Sequence, residues 1–305
     1  MKPKIFIDGR EGTTGLQINE RLGVRNDIHL LHIEETRRKD PDERKKLINA
    51  ADLVFLCLPD EAARESVSLI DNDKTRVIDA STAHRTHPDW VYGLPELSAE
   101  QEDKIKKAKR VANPGCHATG FIISVFPLLE LGILPADYPL TCFSPTGYSG
   151  GGKAMIEEYE QRKTEEMFAP GLYALGLQHK HLPEMQAVTG LTRAPVFCPF
   201  VDDYYRGMAT TVALHNDMLR KPMTAGEIRE VLAEYYSGQR FVTVAPELGS
   251  GTLYCNKGAG TNDLEITVSG SEARTTITAR FDNLGKGASG AAVQNMEIML
   301  GLQHH

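Results

Sequence analysis

The sequence predicts an α/β protein in which a doubly wound parallel sheet is followed by an α+β domain with a largely antiparallel sheet. Two observations lead to this prediction. In the first third of the chain, short continuous apolar runs alternate with helix-like stretches, a pattern typical of buried parallel strands joined by helical crossovers. Beyond Asn113, apolar and polar residues mostly alternate, which is typical of strands that bury one face.

Five apolar runs are the predicted strands of the parallel sheet: Lys4–Asp8, Ile28–Ile33, Leu53–Leu58, Arg76–Ala80 and Arg110–Ala112. Helices are predicted between them over Gly15–Val24, Pro41–Ala50 and Asp60–Ile70. A further helix should open at Ser98, because Ser98 and Gln101 have the spacing of a capping box.

The second region begins with a predicted apolar helix, Ala118–Leu131, which Pro127 should bend and Gly132 can end. The predicted strands after it are Leu140–Ser144, Val196–Val201, Met208–His215, Phe241–Ala245, Leu264–Ser269 and Arg274–Phe281. One surface helix is predicted among them, Ala225–Tyr236, opened by a capping box of Thr224 and Glu227. The final segment, Lys286–Leu300, is again predicted to be helical.

Composition excludes several classes of protein. The 305 residues contain 34 Lys+Arg against 41 Asp+Glu, a net charge of −7, which disfavours a general nucleic-acid or anionic-membrane binder. No apolar run approaches the ~20 residues of a membrane span, and the N-terminus lacks the apolar core of a signal peptide. The five cysteines are few and widely spaced, which argues against a disulfide framework. We therefore expect a cytoplasmic protein.

A glycine-rich turn follows the first predicted strand. Gly9, Gly12 and Gly15 have the spacing G-x-x-G-x-x-G, with Thr13 and Thr14 at the start of the predicted helix. Glycines at this point let backbone N–H groups approach a pyrophosphate, and the helix N-terminus adds positive potential. The turn indicates a Rossmann-type dinucleotide site, with an ordinary glycine turn as the alternative.

The segment after the second strand favours NADP(H) as the cofactor. Glu34 and Glu35 are followed by Arg37, Arg38 and Lys39. Planar guanidinium groups suit a 2′-phosphate, whereas a lone carboxylate would suit the ribose of NAD. A solvated charged loop is the alternative.

Cys116 is the candidate nucleophile. It lies in the run NPGCHATG, where a Pro-Gly turn places the cysteine at the mouth of an apolar helix. A helix N-terminus lowers the pKa of a thiol and so favours the thiolate. The other four cysteines lie in strand-like segments or in a loop and lack this setting.

A candidate acid–base group lies in the run His179-Lys180-His181-Leu182-Pro183-Glu184. His-x-His can be a metal pair, but no third ligand cluster is evident in the sequence, and we predict no metal site. Pro183 suggests an irregular segment. Acid–base catalysis by His179 or His181, oriented by Glu184, is the preferred interpretation, with surface histidines as the alternative.

Further segments look suited to anions and are the candidate substrate and cofactor contacts. They contain Ser81 and Arg85 after the fourth strand, Ser149, Gly150 and Lys153 in a glycine-dense loop, and Arg206 before a strand. Gly287 is one of the small residues that would let the last helix pack closely on the nucleotide domain or reach the nicotinamide. Each signal alone is weak, because arginine and glycine loops are common.

Taken together, these motifs resemble the N-acetyl-γ-glutamyl-phosphate reductases of arginine biosynthesis. The resemblance is carried by the glycine turn, NPGCHATG, HKHLPE, Arg206-Gly207-Met208 and NLGKGASGAAVQNMEIMLGL. The chain length and the run Trp90–Glu96 fit the shorter of the two forms of that family.

The resemblance implies an NADP-binding domain over residues 1–115 and 284–305, and a catalytic and oligomerisation domain over residues 116–283. It implies NADPH-dependent reduction of an acyl phosphate to an aldehyde by a homodimer or homotetramer. Cys116 would be the nucleophile and His181, or else His179, the acid–base group. Arg85 matches the family's Ser-Ala-x-x-Arg segment only through Ser81-Thr82-Ala83-His84-Arg85.

Two alternatives remain open. An aspartate-semialdehyde dehydrogenase would perform the same chemistry on a shorter acyl phosphate, although the order of motifs and the HKHLPE run argue against it. A non-catalytic NADP-binding sensor would keep the fold and leave Cys116 unreactive.

Overall fold

A computed structural model describes residues 2–249 and 251–303 of the chain. The chain divides into two compact units. The first runs to Pro114 and includes the C-terminal segment from Ala288, and the second is Gly115–Gly287. Each unit is built around its own sheet, and the predicted α/β fold class is confirmed.

The first unit contains a parallel sheet with helices between its strands. Its strands are β1 (Lys4–Asp8), β2 (His29–Leu31), β3 (Leu53–Leu56), β4 (Arg76–Asp79), β5 (Val91–Tyr92) and β6 (Arg110–Ala112). Its helices are α1 (Thr13–Gly23), α2 (Pro41–Ala50), α3 (Asp60–Ser68), α4 (Gln101–Lys107) and, from the C-terminal segment, α9 (Gly290–Leu300). In the described residues the strand order is β2-β1-β3-β4-β6-β5, and every pairing is parallel.

The helix starts of this unit depend on local polar groups. The Asp40 side chain accepts the backbone N–H groups of Asp42 and Glu43 at the start of α2, and Pro41 occupies its first turn. The predicted capping box at Ser98 does not form. The Ser98 hydroxyl instead donates to the Glu100 carboxylate, and the Gln101 amide donates to the carbonyl of Tyr92, so α4 begins only at Gln101.

Helix α9 is apolar and largely buried in the first unit, with its polar side chains paired. The Gln294 amide donates to Glu96 Oε1 at 2.9 Å, and the Asn295 amide donates to the carbonyl of Gly93 at 2.8 Å. Arg25 forms an ion pair with Glu297. Because a buried polar group is costly without a partner, these bonds specify how the helix sits on the sheet.

The second unit is a mixed sheet covered by helices. Its strands are β7 (Thr141–Gly147), β8 (Gly171–Leu172), β9 (Val196–Asp202), β10 (Met208–His215), β11 (Val242–Val244), β12 (Leu264–Gly270) and β13 (Arg274–Phe281). Its helices are α5 (Cys116–Glu130), α6 (Gly152–Gln161), α7 (Leu182–Thr189) and α8 (Ala225–Tyr235). The order is β11-β12-β13-β10-β7-β9-β8 in the described residues. Four pairings are antiparallel, whereas β7–β9 and β11–β12 are parallel.

Two helices of the second unit were not expected from the sequence. Helix α6 begins inside the glycine-dense loop, and α7 begins immediately after His181. The prediction of an irregular segment at Pro183 is wrong, because this proline occupies the first turn of α7, where its missing N–H costs nothing. The capping box of Thr224 and Glu227 at the start of α8 is confirmed.

Helix α5 packs closely on the sheet at Gly120. A Cβ atom at this position would lie 2.5 Å from Thr210 Oγ1 and 2.9 Å from Cε1 of Phe281. Both neighbours belong to buried strands, so neither can move away cheaply.

In the described part of the chain, no helix is long and apolar enough to cross a membrane.

We predict that Gly120→Ala lowers the free energy of unfolding by about 1–3 kcal/mol, because overpacking outweighs the better helix propensity of alanine. Gly226→Ala in α8 is the matched control, since its Cβ would be 3.8 Å from the nearest atom. The control should raise the free energy of unfolding by up to about 1 kcal/mol. Urea unfolding measures both, and equal effects of the two substitutions would contradict this account of the packing.

Candidate active site

Cys116 is the first residue of α5 and follows directly on the Pro-Gly pair that the sequence analysis identified as a turn. Gly115 is the N-cap in an extended conformation (φ −78°, ψ 148°), so Cys116 lies in the first turn, where backbone N–H groups have no partner within the helix. Helix α5 supplies the positive end of its dipole at this thiol, which favours the thiolate.

A buried carboxylate holds the turn that carries Cys116. The backbone N–H of Gly115 donates to Glu184 Oε2 at 3.1 Å, and Glu184 is 1% exposed. The sequence predicts that Glu184 orients a histidine. The structure shows in addition that Glu184 holds the residue before the candidate nucleophile.

Gly287 packs directly against Cys116. A Cβ on Gly287 would lie 2.9 Å from Cys116 Cβ and 3.2 Å from Cε2 of Phe281. Gly287 lies in a π-helical turn, Gly285–Ser289. Any side chain at this position would therefore displace the cysteine, and the predicted cofactor contact lies beside the candidate nucleophile.

Three histidines and an aromatic ring form a cluster next to Cys116. The ring centroid of His117 lies 5.5 Å from that of His179 and 5.7 Å from that of His181. Phe197 packs edge-on against His117 at 5.2 Å. The sequence analysis missed His117 because its only signal is its place beside Cys116 in the chain. Among the described residues, no group of three or more His, Cys, Asp or Glu could hold a metal ion.

His117 is buried and bonded through both ring nitrogens. Its Nδ1 lies 2.6 Å from Ser144 Oγ, and its Nε2 lies 2.8 Å from the Tyr173 hydroxyl. Burial, followed by the nearby His179 and Lys180, lowers the pKa of His117 to about 3. His117 is therefore a neutral imidazole at physiological pH.

His179 and His181 differ in their surroundings. His179 Nδ1 accepts the backbone N–H of His181 at 3.1 Å, so the proton of a neutral His179 resides on Nε2. His181 is 5% exposed and is the N-cap residue of α7. The hydrogen bond gives His179 a role in shaping the turn that presents His181.

The predicted anion-binding loop of the second unit closes around Asn283. Its side-chain amide donates to Ser149 Oγ at 3.0 Å, while its carbonyl accepts the backbone N–H of Gly207 at 2.8 Å. The segments that contain Ser149, Gly150 and Arg206 are thereby held together. Lys153 lies exposed in the first turn of α6. The Arg206 side chain is half-exposed and 3.7 Å from the buried Asp282 carboxylate.

In the first unit, the glycine turn has the tight geometry that the motif predicts. Gly9 has a φ of +87°, and a Cβ there would lie 2.4 Å from the carbonyl oxygen of Cys57. A Cβ on Gly15 would lie 2.5 Å from the carbonyl of Gly9. Gly12 is less crowded and is the N-cap of α1, which begins with Thr13 and Thr14.

A cavity of about 480 Å³ opens at the carboxyl ends of β1, β2 and β3. Its cationic lining residues are Arg10, Arg38, Lys39 and Arg44. Arg44 forms a buried ion pair with Asp8 at 3.0 Å. This is the position at which doubly wound sheets bind their ligands.

The two predicted arginines differ in their relation to this cavity. Arg38 lines it and is paired with Glu35 at 2.6 Å. Arg37 is paired with Asp40 and Glu43 and is not among the lining residues.

The segment after β4 folds around the buried Asp79 carboxylate. Ser81 donates its backbone N–H and its hydroxyl to the buried Asp79, whose Oδ2 also lies 2.6 Å from His84 Nδ1. Arg85 donates to the carbonyls of Asn113 and Ala80 at 3.0 and 3.1 Å. These two carbonyls fix the plane of the guanidinium group.

A Rossmann-type sheet in one unit and a cysteine as the first residue of a helix in the other are features of a known class. Residues 5–106 match the family model described as semialdehyde dehydrogenase, NAD binding domain, and residues 116–283 match the one described as semialdehyde dehydrogenase, dimerisation domain. Fold and site therefore define a semialdehyde dehydrogenase.

Relatives over nearly the whole chain narrow this class. N-acetyl-gamma-glutamyl-phosphate reductase 2 of Nostoc sp. is 48% identical over 99% of this chain and 98% of its own. The protein of the same name from Pseudomonas putida is 48% identical over 99% of both chains. The N-acetyl-gamma-glutamyl-phosphate reductase of Brucella anthropi is 47% identical over the same shares. The chain belongs to the N-acetyl-gamma-glutamyl-phosphate reductase family, which confirms the resemblance read from its motifs.

Solved structures support the fold. Aspartate semialdehyde dehydrogenase II of Vibrio cholerae has a TM-score of 0.74 and 16% identity, with 99% of both chains covered. The aspartate semialdehyde dehydrogenase of Francisella tularensis has a TM-score of 0.74 and 15% identity, with 98% of this chain and 100% of its own covered.

We predict that His117 makes the protein less stable in mild acid. Unfolded His117 takes up a proton near pH 6.5, whereas the folded residue stays neutral down to about pH 3. The unfolded state therefore binds more protons in this window, and stability falls as the pH drops, by up to about 1.4 kcal/mol per pH unit.

His117→Gln removes this titration and keeps a hydrogen-bonding side chain. Urea unfolding between pH 7 and pH 4 should show a shallower loss of stability for the variant than for the wild type. Parallel curves would contradict a neutral buried His117.

Proposed function

We propose that the protein reduces N-acetyl-L-glutamyl 5-phosphate to N-acetyl-L-glutamate 5-semialdehyde and phosphate, with NADPH as the reductant. The observation that carries this proposal is Cys116 at the start of α5 in a chain whose near full-length relatives bear that enzyme's name. Reduction of this acyl phosphate belongs to arginine biosynthesis, which we place in the cytoplasm.

Cys116 forms the covalent intermediate. Its thiolate attacks the acyl carbon, the C–O bond to phosphate breaks, and phosphate leaves with the bonding electron pair. A thioester remains on Cys116. Dividing the reaction in this way avoids expelling phosphate and reducing the acyl carbon in one step.

The neighbouring side chains handle protons and negative charge. His181 is the proposed acid–base group, since the backbone bond to His179 Nδ1 engages the other histidine in shaping the turn. His181 protonates the departing phosphate and regains a proton from solvent. It gives this proton to the thiohemiacetal oxygen and takes it back when the aldehyde leaves and the Cys116 thiolate re-forms. Glu184 keeps Cys116 in register by holding the Gly115 amide.

The substrate's two anionic ends need cationic or N–H partners. We assign the phosphate to Ser149, Gly150, Lys153 and Arg206, because the start of α6 adds N–H groups to these side chains. Arg85 is proposed to bind the α-carboxylate, since its guanidinium plane is fixed by two carbonyls.

The first unit fits a nicotinamide dinucleotide. The turn from Gly9 to Gly15 is least crowded at Gly12. The cavity beside it is lined by four cationic side chains together with the carboxylates of Asp8, Glu11, Glu35 and Glu65. When bound, the nicotinamide supplies the hydride that reduces the thioester carbon. We propose that Gly9, Gly12, Thr13, Thr14, Gly15 and Ser81 contact this cofactor in the first unit and that Gly287 contacts it beside Cys116.

We propose NADP(H) rather than NAD(H), and a homodimer or homotetramer. The cofactor proposal is supported by Arg10, Arg38 and Lys39 on one cavity. Assembly is supported by the match of residues 116–283 to a dimerisation domain.

The activity is tested in reverse with N-acetyl-L-glutamate 5-semialdehyde, NADP and phosphate, followed by nicotinamide absorbance. Glutamate 5-semialdehyde should be at least about tenfold worse in kcat/KM, because its ammonium group would lie near the cations of the pocket and weaken binding there. Equal turnover of the two aldehydes would overturn the assigned substrate.

Cys116→Ser should abolish turnover, and Cys198→Ser is the matched control that should retain it.

Cofactor selectivity is tested by Arg38→Ala. Loss of a charge-assisted phosphate contact should raise the Kd of NADPH by roughly 10–150-fold and leave that of NADH nearly unchanged. Arg37→Ala is the matched control, since Arg37 is paired with two carboxylates and does not line the cavity. Fluorescence titration gives both constants. An equal loss for NADPH and NADH would place the 2′-phosphate elsewhere.

A further inference from the structure

His84 anchors the loop that carries Arg85, and no step of the proposed reaction uses it. In the described segment from Ser81 to Asp89, it is the one residue that is buried, at 7% exposure. Its Nδ1 lies 2.6 Å from Oδ2 of Asp79, a fully buried carboxylate at the end of β4. Because an ionised carboxylate only accepts hydrogen bonds, the Nδ1–H group of His84 donates to Asp79.

Trp90 covers one face of the same ring. The two rings are stacked, with centroids 4.1 Å apart and 11° between their planes, and Trp90 is 8% exposed. Two consecutive turns return Trp90 to this position. The N–H of His87 donates to the His84 carbonyl, and the N–H of Trp90 donates to the His87 carbonyl, both at 3.1 Å. The imidazole is therefore held at its edge by a hydrogen bond to a charged group and at its face by an aromatic contact.

Two backbone carbonyls hold the guanidinium end of Arg85. Its Nε donates to the carbonyl of Asn113 at 3.0 Å, and its Nη2 donates to that of Ala80 at 3.1 Å. The backbone N–H of Asn113 donates to the carbonyl of Asp79 at 2.8 Å, and that of Ala80 donates to the carbonyl of Leu56 at 2.9 Å. Both acceptors are therefore tied to the parallel sheet of the first unit.

The guanidinium group can reach both carbonyls only while the Cα atom of Arg85 stays in place. His84 precedes Arg85 in the chain and is buried, whereas residues 86–89 on the other side are exposed. The position of the Arg85 backbone therefore depends on the anchoring of His84. A long side chain that is held at both ends has already lost most of its conformational freedom, and is pre-organised for a ligand.

We propose that His84 is a positioning residue that holds Arg85 for the α-carboxylate of the substrate, and thereby sets the preference for aldehydes that carry this group. The inference rests on the proposed function, which assigns the carboxylate to Arg85. A carboxylate binds a guanidinium group best when the two groups share a plane, so a small displacement of Arg85 weakens this contact. His84 acts through Arg85 and not on the reacting atoms.

The first test compares two aldehydes in the reverse reaction. N-acetyl-L-glutamate 5-semialdehyde carries the α-carboxylate, and 4-acetamidobutanal is the same molecule without it. The ratio of their kcat/KM values measures recognition of the carboxylate, and it does not depend on how much of a variant is folded. His84→Ala should lower this ratio roughly tenfold or more, because a displaced Arg85 no longer meets the carboxylate in its plane.

Three further variants complete this comparison. His84→Asn keeps an N–H donor close to the position of Nδ1 and should restore most of the ratio. Arg85→Ala removes the proposed contact itself and should give the lowest ratio. His87→Ala is the matched control, since the His87 side chain is 47% exposed and follows Arg85 in the chain. It should leave the ratio at the wild-type value.

The second test uses no substrate. ¹⁵N NMR of the arginine Nε–H groups, with the Arg85 signal assigned by Arg85→Lys, measures hydrogen exchange at the bond to Asn113. His84→Ala should accelerate this exchange by about tenfold or more. Arg76 is the internal reference, because its Nε donates to the carbonyl of Ala108 at 2.9 Å in the same unit. A general loss of stability would accelerate both signals, whereas a loss of positioning accelerates only that of Arg85.

An unchanged ratio in His84→Ala beside a lowered ratio in Arg85→Ala would overturn the proposal and leave the proposed function intact. So would unchanged exchange at Arg85, or equal acceleration of the Arg76 and Arg85 signals. An unchanged ratio in Arg85→Ala would overturn both the assignment of the carboxylate to Arg85 and the inference built on it. A wild type that turns over neither aldehyde would overturn the proposed function, and the exchange measurement would then decide whether His84 holds Arg85.

Discussion

The hydrogen bond between the Gly115 amide and the buried Glu184 carboxylate sets the position of the candidate nucleophile. Glu184 lies in the first turn of α7 and contacts the N-cap residue of α5, so its negative charge faces the positive ends of two helices. The positive helix ends compensate the cost of removing the nearly inaccessible Glu184 carboxylate from water. Because Glu184 links the starts of α5 and α7, the backbone at Cys116 is held in a fixed position relative to the backbone at His181.

Close packing is the second condition on this site. Gly120 brings α5 onto the sheet, and Gly287 brings the π-helical turn onto Cys116, with a missing Cβ as the reason in each case. Such contacts leave no room for rearrangement, since protein interiors are packed to crystal-like density. Cys116 is therefore held by the close contact with Gly287 and by the Glu184 bond to the residue before it.

The dinucleotide end of the molecule depends on backbone geometry more than on side chains. Gly9 adopts a left-handed conformation that a Cβ would block, and the Asp8 carboxylate next to it is held by Arg44 and Ser66. This buried network secures the end of β1, where a ligand in a doubly wound sheet is expected. The cationic side chains of the cavity are therefore next to a part of the backbone that is held in place.

The sequence by itself determined the alternation of helices with five of the six strands of the first unit, the start of α5 near Cys116, and the family; it missed β5. Those features depend on local periodicity, on a Pro-Gly turn and on contiguous motifs. Helix α7 could have been found from the same kind of signal, since Pro183 lies in its first turn and Gly190 ends it in a left-handed conformation. Only the tertiary structure decided the parallel pairing of β7 with β9, the Gly115–Glu184 bond and a chain of hydrogen bonds from Thr210 through Ser144 and His117 to Tyr173. These contacts join residues between 27 and 69 positions apart, and no local pattern encodes which buried polar groups will meet.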